Sequence, residues 1–106
     1  MEPISFTGFE WDAGNRAKCG KHGVSPAEIE YVLAHAETLI AQDRTHLVGE
    51  PRLVAVGRTE QGRYTFVVFT PRRRGSDLLL RPISARYMHR REVERYAQEI
   101  VRSQKR

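Results

Sequence analysis

Lys21-His22-Gly23 and the arginines Arg58, Arg63, Arg86, Arg90 and Arg91 are the residues of this sequence whose types and spacing best suit chemistry on a phosphate. Histidine titrates near neutrality, so His22 suits proton transfer with Lys21 beside it as a cation. A helix C-terminus favours the same run, because cations complement the negative end of the dipole and glycine takes the left-handed stop. His89, Arg90 and Arg91 open a final helix whose first N–H groups attract anions. Tyr87, just before them, suits stacking on a base, donating a proton, or packing half-buried. Arginine is the favoured type throughout, since 15 of the 18 basic residues are Arg, whose planar fork pairs two-pronged with phosphate oxygens.

The charge is unevenly placed. Residues 1–70 carry 7 Lys+Arg and 9 Asp+Glu, a net of −2, whereas residues 71–106 carry 11 and 4, a net of +7. A basic third of this kind implies a phosphate-rich partner, and an arginine-rich solubilising surface explains the same counts. Pro71-Arg72-Arg73-Arg74-Gly75 reads as a basic loop for non-specific phosphate attraction or for an acidic protein segment. Cys19-Gly20-Lys21-His22 has a Cys-x-x-His spacing, but a closed zinc site needs four ligands and neither His35 nor His46 brings a second pair. No metal and no cofactor is expected.

The elements that must position these residues follow from local signals. Phe6-Thr7-Gly8-Phe9-Glu10-Trp11 reads as a short strand with aromatics toward the core, and Asp12 can cap a helix starting at Ala13. Gly14 and Gly20 weaken that helix by about 1 kcal/mol each relative to Ala. Ser25-Pro26-Ala27-Glu28 is a stronger start signal, with a capping serine, proline at the first helical position and glutamate three residues after the cap. Ile29, Val32, Leu33 and Ala36 then form one apolar stripe, ending near His35 or Ala36. Strands are expected at 38–41, 53–58, 63–70 and 78–84, with Glu60-Gln61-Gly62 as a hairpin turn. An amphipathic helix over 90–103 closes the chain, with Val93, Tyr96, Ala97, Ile100 and Val101 on one face. The order predicts an α+β fold, a small antiparallel sheet with two N-terminal helices and a C-terminal helix packed on it.

At 106 residues, 40% hydrophobic and 29% charged, the chain is large enough for one core and too small for two, so residues 1–106 are expected to form one domain. No apolar run approaches the roughly 20 residues that span a bilayer, the start lacks a basic-then-apolar leader, and Cys19 is a lone thiol. These features point to a cytoplasmic protein.

Three clusters carry a family resemblance: Phe9-Glu10-Trp11-Asp12 with Lys21-His22-Gly23-Val24; Gly57-Arg58-Thr59 with Gly62-Arg63; and Ile83-Ser84-Ala85-Arg86 with Arg91-Glu92 and Tyr96. Over residues 9–96 the chain resembles the BrnT toxins, departing from their common pattern at Asn15, Lys18 and His89. The resemblance implies a RelE-like fold and metal-independent RNA cleavage, in which the ribose 2′-hydroxyl attacks the adjacent phosphate. It also implies neutralisation by a BrnA-like antitoxin and contact with DNA only through that antitoxin complex, and it leaves open a homodimer or a toxin–antitoxin heterotetramer; no membrane partner is expected, from the lack of a long apolar run. Arg63, Arg86, Lys21 and His22 are the expected catalytic residues, with Arg63 and Arg86 converging as a phosphate clamp in one cleft. Arg58, Tyr87, His89, Arg90 and Arg91 are the expected RNA contacts. The competing reading is a non-catalytic RNA- or DNA-binding module, or an antitoxin-binding subunit, with the same fold.

Overall fold

A computed structural model describes residues 5–35, 39–42 and 50–104. Their order is β1 (Gly8–Phe9), α1 (Ala13–Cys19), a 3-10 turn (Gly20–His22), α2 (Pro26–Ala34), β2 (Leu39–Gln42), β3 (Leu53–Arg58), β4 (Tyr64–Arg74), β5 (Asp77–Tyr87) and α3 (Arg90–Gln104). The fold is α+β, as expected. The sheet order is β1-β5-β4-β3-β2. Strands β2 to β5 form an antiparallel meander, and β1 adds itself in parallel to β5 by pairing Gly8 with Leu79 and Phe9 with Leu80. The sheet is therefore mixed, because the chain returns to its own beginning after the meander.

Both N-terminal helices start where their caps dictate. The Asp12 side chain accepts from Asn15 N–H, and the Asn15 side chain returns the bond to Asp12 N–H. Ser25 and Glu28 do the same for α2, with Pro26 at its first position. Asn15 also donates its amide to the carbonyls of Glu10 and Pro82, at 3.0 and 2.9 Å. Being buried, it ties α1 to β5. Gly23 stops the 3-10 turn at φ +87°, in the left-handed region where glycine is unstrained. The helical stripe Ile29, Val32 and Leu33 is buried with Cys19 and Val24 against Val67, Phe69 and Leu80 of the sheet. Ala36 lies outside the described residues.

Strand parity decides which side chains can meet. Val67, Ala85 and Ala55 face the helices and are buried, while Phe66, Val68 and Val54 alternate with them onto the outer face. A bulge between Val68 and Phe69 leaves Ile83 as the extra residue on β5, since Ser84 pairs with Val68 and Pro82 with Phe69. Beyond it the pairing is regular, Ala85 with Val67, Arg86 with Phe66 and Tyr87 with Thr65.

The expected basic loop at Pro71–Gly75 is instead the far end of the β4–β5 hairpin. Pro71 pairs with Leu80 and Arg74 with Asp77. Proline is tolerated there because β3 pairs with β4 no further than Phe69, so one side of β4 has no ladder to break. Arg72, Arg74 and Arg81 all pair with Glu10, at 3.5, 2.9 and 3.3 Å, and Arg72 and Arg81 reach on to Glu50 and Asp12 at 2.7 and 2.9 Å. Burial raises the pKa of Glu10, but these arginines outweigh it and hold the carboxyl below the usual range. Three of the eleven basic residues of the C-terminal third thus fasten the N-terminal segment to the sheet.

Candidate active site

The β3–β4 turn is built to hold one arginine still. Thr59 N–H donates to the Arg63 carbonyl at 2.9 Å, Arg63 N–H donates to Thr59 Oγ1 at 3.1 Å, and the buried Thr65 hydroxyl donates to the same Arg63 carbonyl at 3.1 Å. Gly62 closes the turn at φ +87°, donating to the Thr59 carbonyl. This accounts physically for Thr59 and Gly62 of the second cluster. The Arg63 backbone is fixed, yet its side chain is exposed.

That side chain lies over the Tyr87 ring with Cζ 3.6 Å from the centroid. At this separation a steep tilt is excluded, because it would drive a guanidinium nitrogen into the ring. Tyr87 is the last residue of β5 and faces the helices, like Ala85. Its hydroxyl donates to the Glu28 carboxylate, 2.8 and 3.0 Å from the two oxygens, and stands 3.3 Å from the Gly23 carbonyl oxygen. Burial, then the hydrogen bond and charge of Glu28, push the Tyr87 phenol up, with Arg63 opposing. Glu28 is shifted the other way. The Ser25 N–H foremost, then the Tyr87 hydroxyl, the Ser25 hydroxyl and the Arg63 charge, hold its carboxyl below the usual range against the opposing effect of burial. At neutral pH the array is therefore a protonated phenol between a carboxylate and a guanidinium. Gly23 joins it to the exposed Lys21 and His22 immediately before.

Arg86 is elsewhere. As the neighbour of Tyr87 on β5 it points to the outer face, where it lies 5.0 Å over Phe66 and gives both terminal nitrogens to Glu92, at 2.7 Å each. The expected convergence of Arg63 and Arg86 in one cleft is thus corrected: adjacent strand residues alternate between faces, and the Arg86 fork is already occupied. Glu92 also accepts from His89 N–H at 2.9 Å, completing half of a capping box, and its pKa is lowered to about 2, first by the Arg86 hydrogen bond and then by His89 N–H. An anion expected at the start of α3 is therefore supplied by the protein itself.

The nine expected site residues sort into two groups at the same end of the sheet. Lys21, His22, Arg63 and Tyr87 are on the helix-covered side. Arg58, Arg86, His89, Arg90 and Arg91 are on or beside the outer face, where Arg58 lies 5.8 Å over Tyr64, Tyr64 meets Tyr96 of α3 edge-on at 5.5 Å, and Arg90 pairs loosely with Glu94 at 3.6 Å. Arg63 covers one face of the ring of Tyr87, the residue expected to stack on a base. Glu28 was recognised in the sequence only as a capping residue. Its partner Tyr87 is 59 positions away, and no local signal announces the contact. Among the described residues no group of His, Cys, Asp and Glu could hold a metal ion, and no helix is long and apolar enough to cross a membrane.

Comparison with curated proteins gives no match. A family model described as ribonuclease toxin, BrnT, of type II toxin-antitoxin system matches residues 11–92, a span that holds Lys21, His22, Glu28, Arg63, Arg86 and Tyr87. Most of the chain is covered, with the stapled turn, the Tyr87 array and the Arg86–Glu92 pair all inside it, and the chain belongs to the BrnT family of ribonuclease toxins of type II toxin–antitoxin systems.

Proposed function

We propose that this chain cleaves RNA by attack of a ribose 2′-hydroxyl on the adjacent phosphate, at a site made by Arg63, which rests on Tyr87, and by Lys21 and His22, which lead into Gly23 beside the Tyr87 hydroxyl. The observation that carries this reading is the exposed Arg63 guanidinium, resting over Tyr87 with Cζ 3.6 Å from the ring centroid and anchored by a triply bonded backbone. A planar, fixed guanidinium keeps the N–H donors on its rim for phosphate oxygens, where negative charge builds as the 2′-oxygen attacks. Lys21 adds a second cation, and His22 is the residue type suited to moving the proton from the nucleophile or to the leaving 5′-oxygen. The nucleophile belongs to the substrate, so no metal-activated water is required, and DNA, lacking the 2′-hydroxyl, is left intact. Arg58 and Arg91, exposed on the other side of the same sheet end, suit flanking backbone contacts that position the strand without entering the reaction. An antitoxin partner follows from the family, and a BrnA-like protein, bringing DNA into contact only through the complex, is the proposed one.

The test is incubation of the purified chain, in a metal chelator, with an RNA oligonucleotide and with its 2′-O-methyl counterpart. Cleavage of the first to 2′,3′-cyclic phosphate and 5′-hydroxyl ends, with the second untouched, is the expected result. Intact RNA, joined to normal growth of cells expressing the chain without an antitoxin, would refute it.

A further inference from the structure

We propose that Glu28 is a positioning residue of the RNA site, holding Tyr87 in place so that Arg63 is oriented by a carboxylate that never occupies its donors. The inference rests on the function proposed above and adds a residue to it.

The capping role of Glu28 uses Oε1 alone, which accepts Ser25 N–H at 2.9 Å. Both of its oxygens nevertheless converge on the Tyr87 hydroxyl, at 2.8 and 3.0 Å, a contact that contributes nothing to starting α2. A phenol has one proton to donate, and an ionised acceptor makes the stronger bond, so the proton goes to Glu28 rather than to the Gly23 carbonyl 3.3 Å away. The ring is thereby fixed at both ends, by β5 at its backbone and by α2 at its hydroxyl. Arg63 rests on that ring and makes no ion pair of its own among the described residues. Arg86 is the contrast within the same chain: its carboxylate partner sits directly on both terminal nitrogens, leaving that fork little to offer a substrate. Placing the carboxylate on the far side of an aromatic ring keeps the attraction and the alignment while the guanidinium rim stays open.

Glu28→Gln separates this role from capping, because glutamine serves equally in a capping box but carries no charge. Tyr87→Phe keeps the ring and removes the hydroxyl. Each is measured alone and in an Arg63→Ala background, by kcat and KM for RNA cleavage and by Kd for a 2′-O-methyl oligoribonucleotide. Each single change is expected to lower kcat roughly tenfold, within the range felt when a positioning contact is lost, measured at a temperature where circular dichroism shows Glu28→Gln fully folded. In the Arg63→Ala background neither change lowers it further by more than about twofold, since residues acting as one unit are non-additive. Equal losses in both backgrounds, or wild-type cleavage by Glu28→Gln and Tyr87→Phe, overturn the role. If the unsubstituted chain binds the probe but cuts no RNA, the cleavage reading fails by itself, and the same cycle in Kd decides: coupling supports the positioning role and additivity overturns it. Absence of both binding and cleavage overturns the two together.

Discussion

Replacing Glu92 by glutamine should loosen α3 from the sheet without disturbing its start. The neutral amide oxygen can still accept from His89 N–H, as Glu92 does, so the substitution isolates the charge facing Arg86. A carboxyl pKa of about 2 in place of the ordinary 4.5 corresponds at face value to about 3 kcal/mol, at about 1.4 kcal/mol per unit. Arg86 and Glu92 are 37% and 32% exposed, so solvent screening reduces this to about 1–2 kcal/mol for a two-pronged pair. The assay is urea denaturation of both proteins across pH, read as the difference between them. Because the folded pKa is depressed, the contribution is fully present above the unfolded value near 4.5 and is lost as pH falls through about 2. Taking the difference cancels the other lowered carboxyls, Glu10, Asp12 and Glu28. A difference below about 0.5 kcal/mol at pH 7, the level of an ordinary surface substitution, or one that persists undiminished below pH 2, would refute the reasoning.

Gly62→Ala places a Cβ at φ +87°, where no neighbouring atom blocks it, so the expected cost is backbone strain of about 1 kcal/mol, measured by denaturation alongside a fall in RNA cleavage as the turn carrying Arg63 shifts. Asn15→Ala removes the donor shared by the Glu10 and Pro82 carbonyls and should destabilise by about 1–3 kcal/mol, seen as a lower melting temperature. Cys19 is buried and its thiol pKa is raised by that burial, so a disulfide reagent at neutral pH should label the unfolded chain promptly and the native one only at the rate of opening; prompt native labelling would contradict the placement.

Local physics was legible in the residues and distant pairing was not. Ser25-Pro26-Ala27-Glu28 announced α2 because capping uses neighbours three apart, and the Glu60-Gln61-Gly62 turn needed its glycine for φ alone. The internal ion pairs of the arginine-rich third were hidden for the same reason that Glu28 was missed. Arg72, Arg74 and Arg81 meet Glu10 across 62, 64 and 71 positions, and neither charge carries any local mark of the other. Pro71-Arg72-Arg73-Arg74-Gly75 has the composition of a loop, and only the early end of β3 lets it run as strand. The separation of Arg63 from Arg86 turns on parity. Period-2 alternation puts Arg86 and Tyr87 on opposite faces from sequence alone, but a turn residue such as Arg63 has no parity until its hydrogen bonds are known.

The central claim, that RNA is cut on the helix-covered side of the sheet end, is tested most directly by comparing Arg63→Ala with Arg86→Ala in an RNA cleavage assay run well below both melting temperatures. Loss of one charge-stabilising group should lower kcat/KM about 10²–10³-fold for Arg63→Ala, with Arg86→Ala less stable but cutting within about threefold of the parent. A collapse of cleavage in folded Arg86→Ala, with Arg63→Ala still active, would place the reaction on the other face.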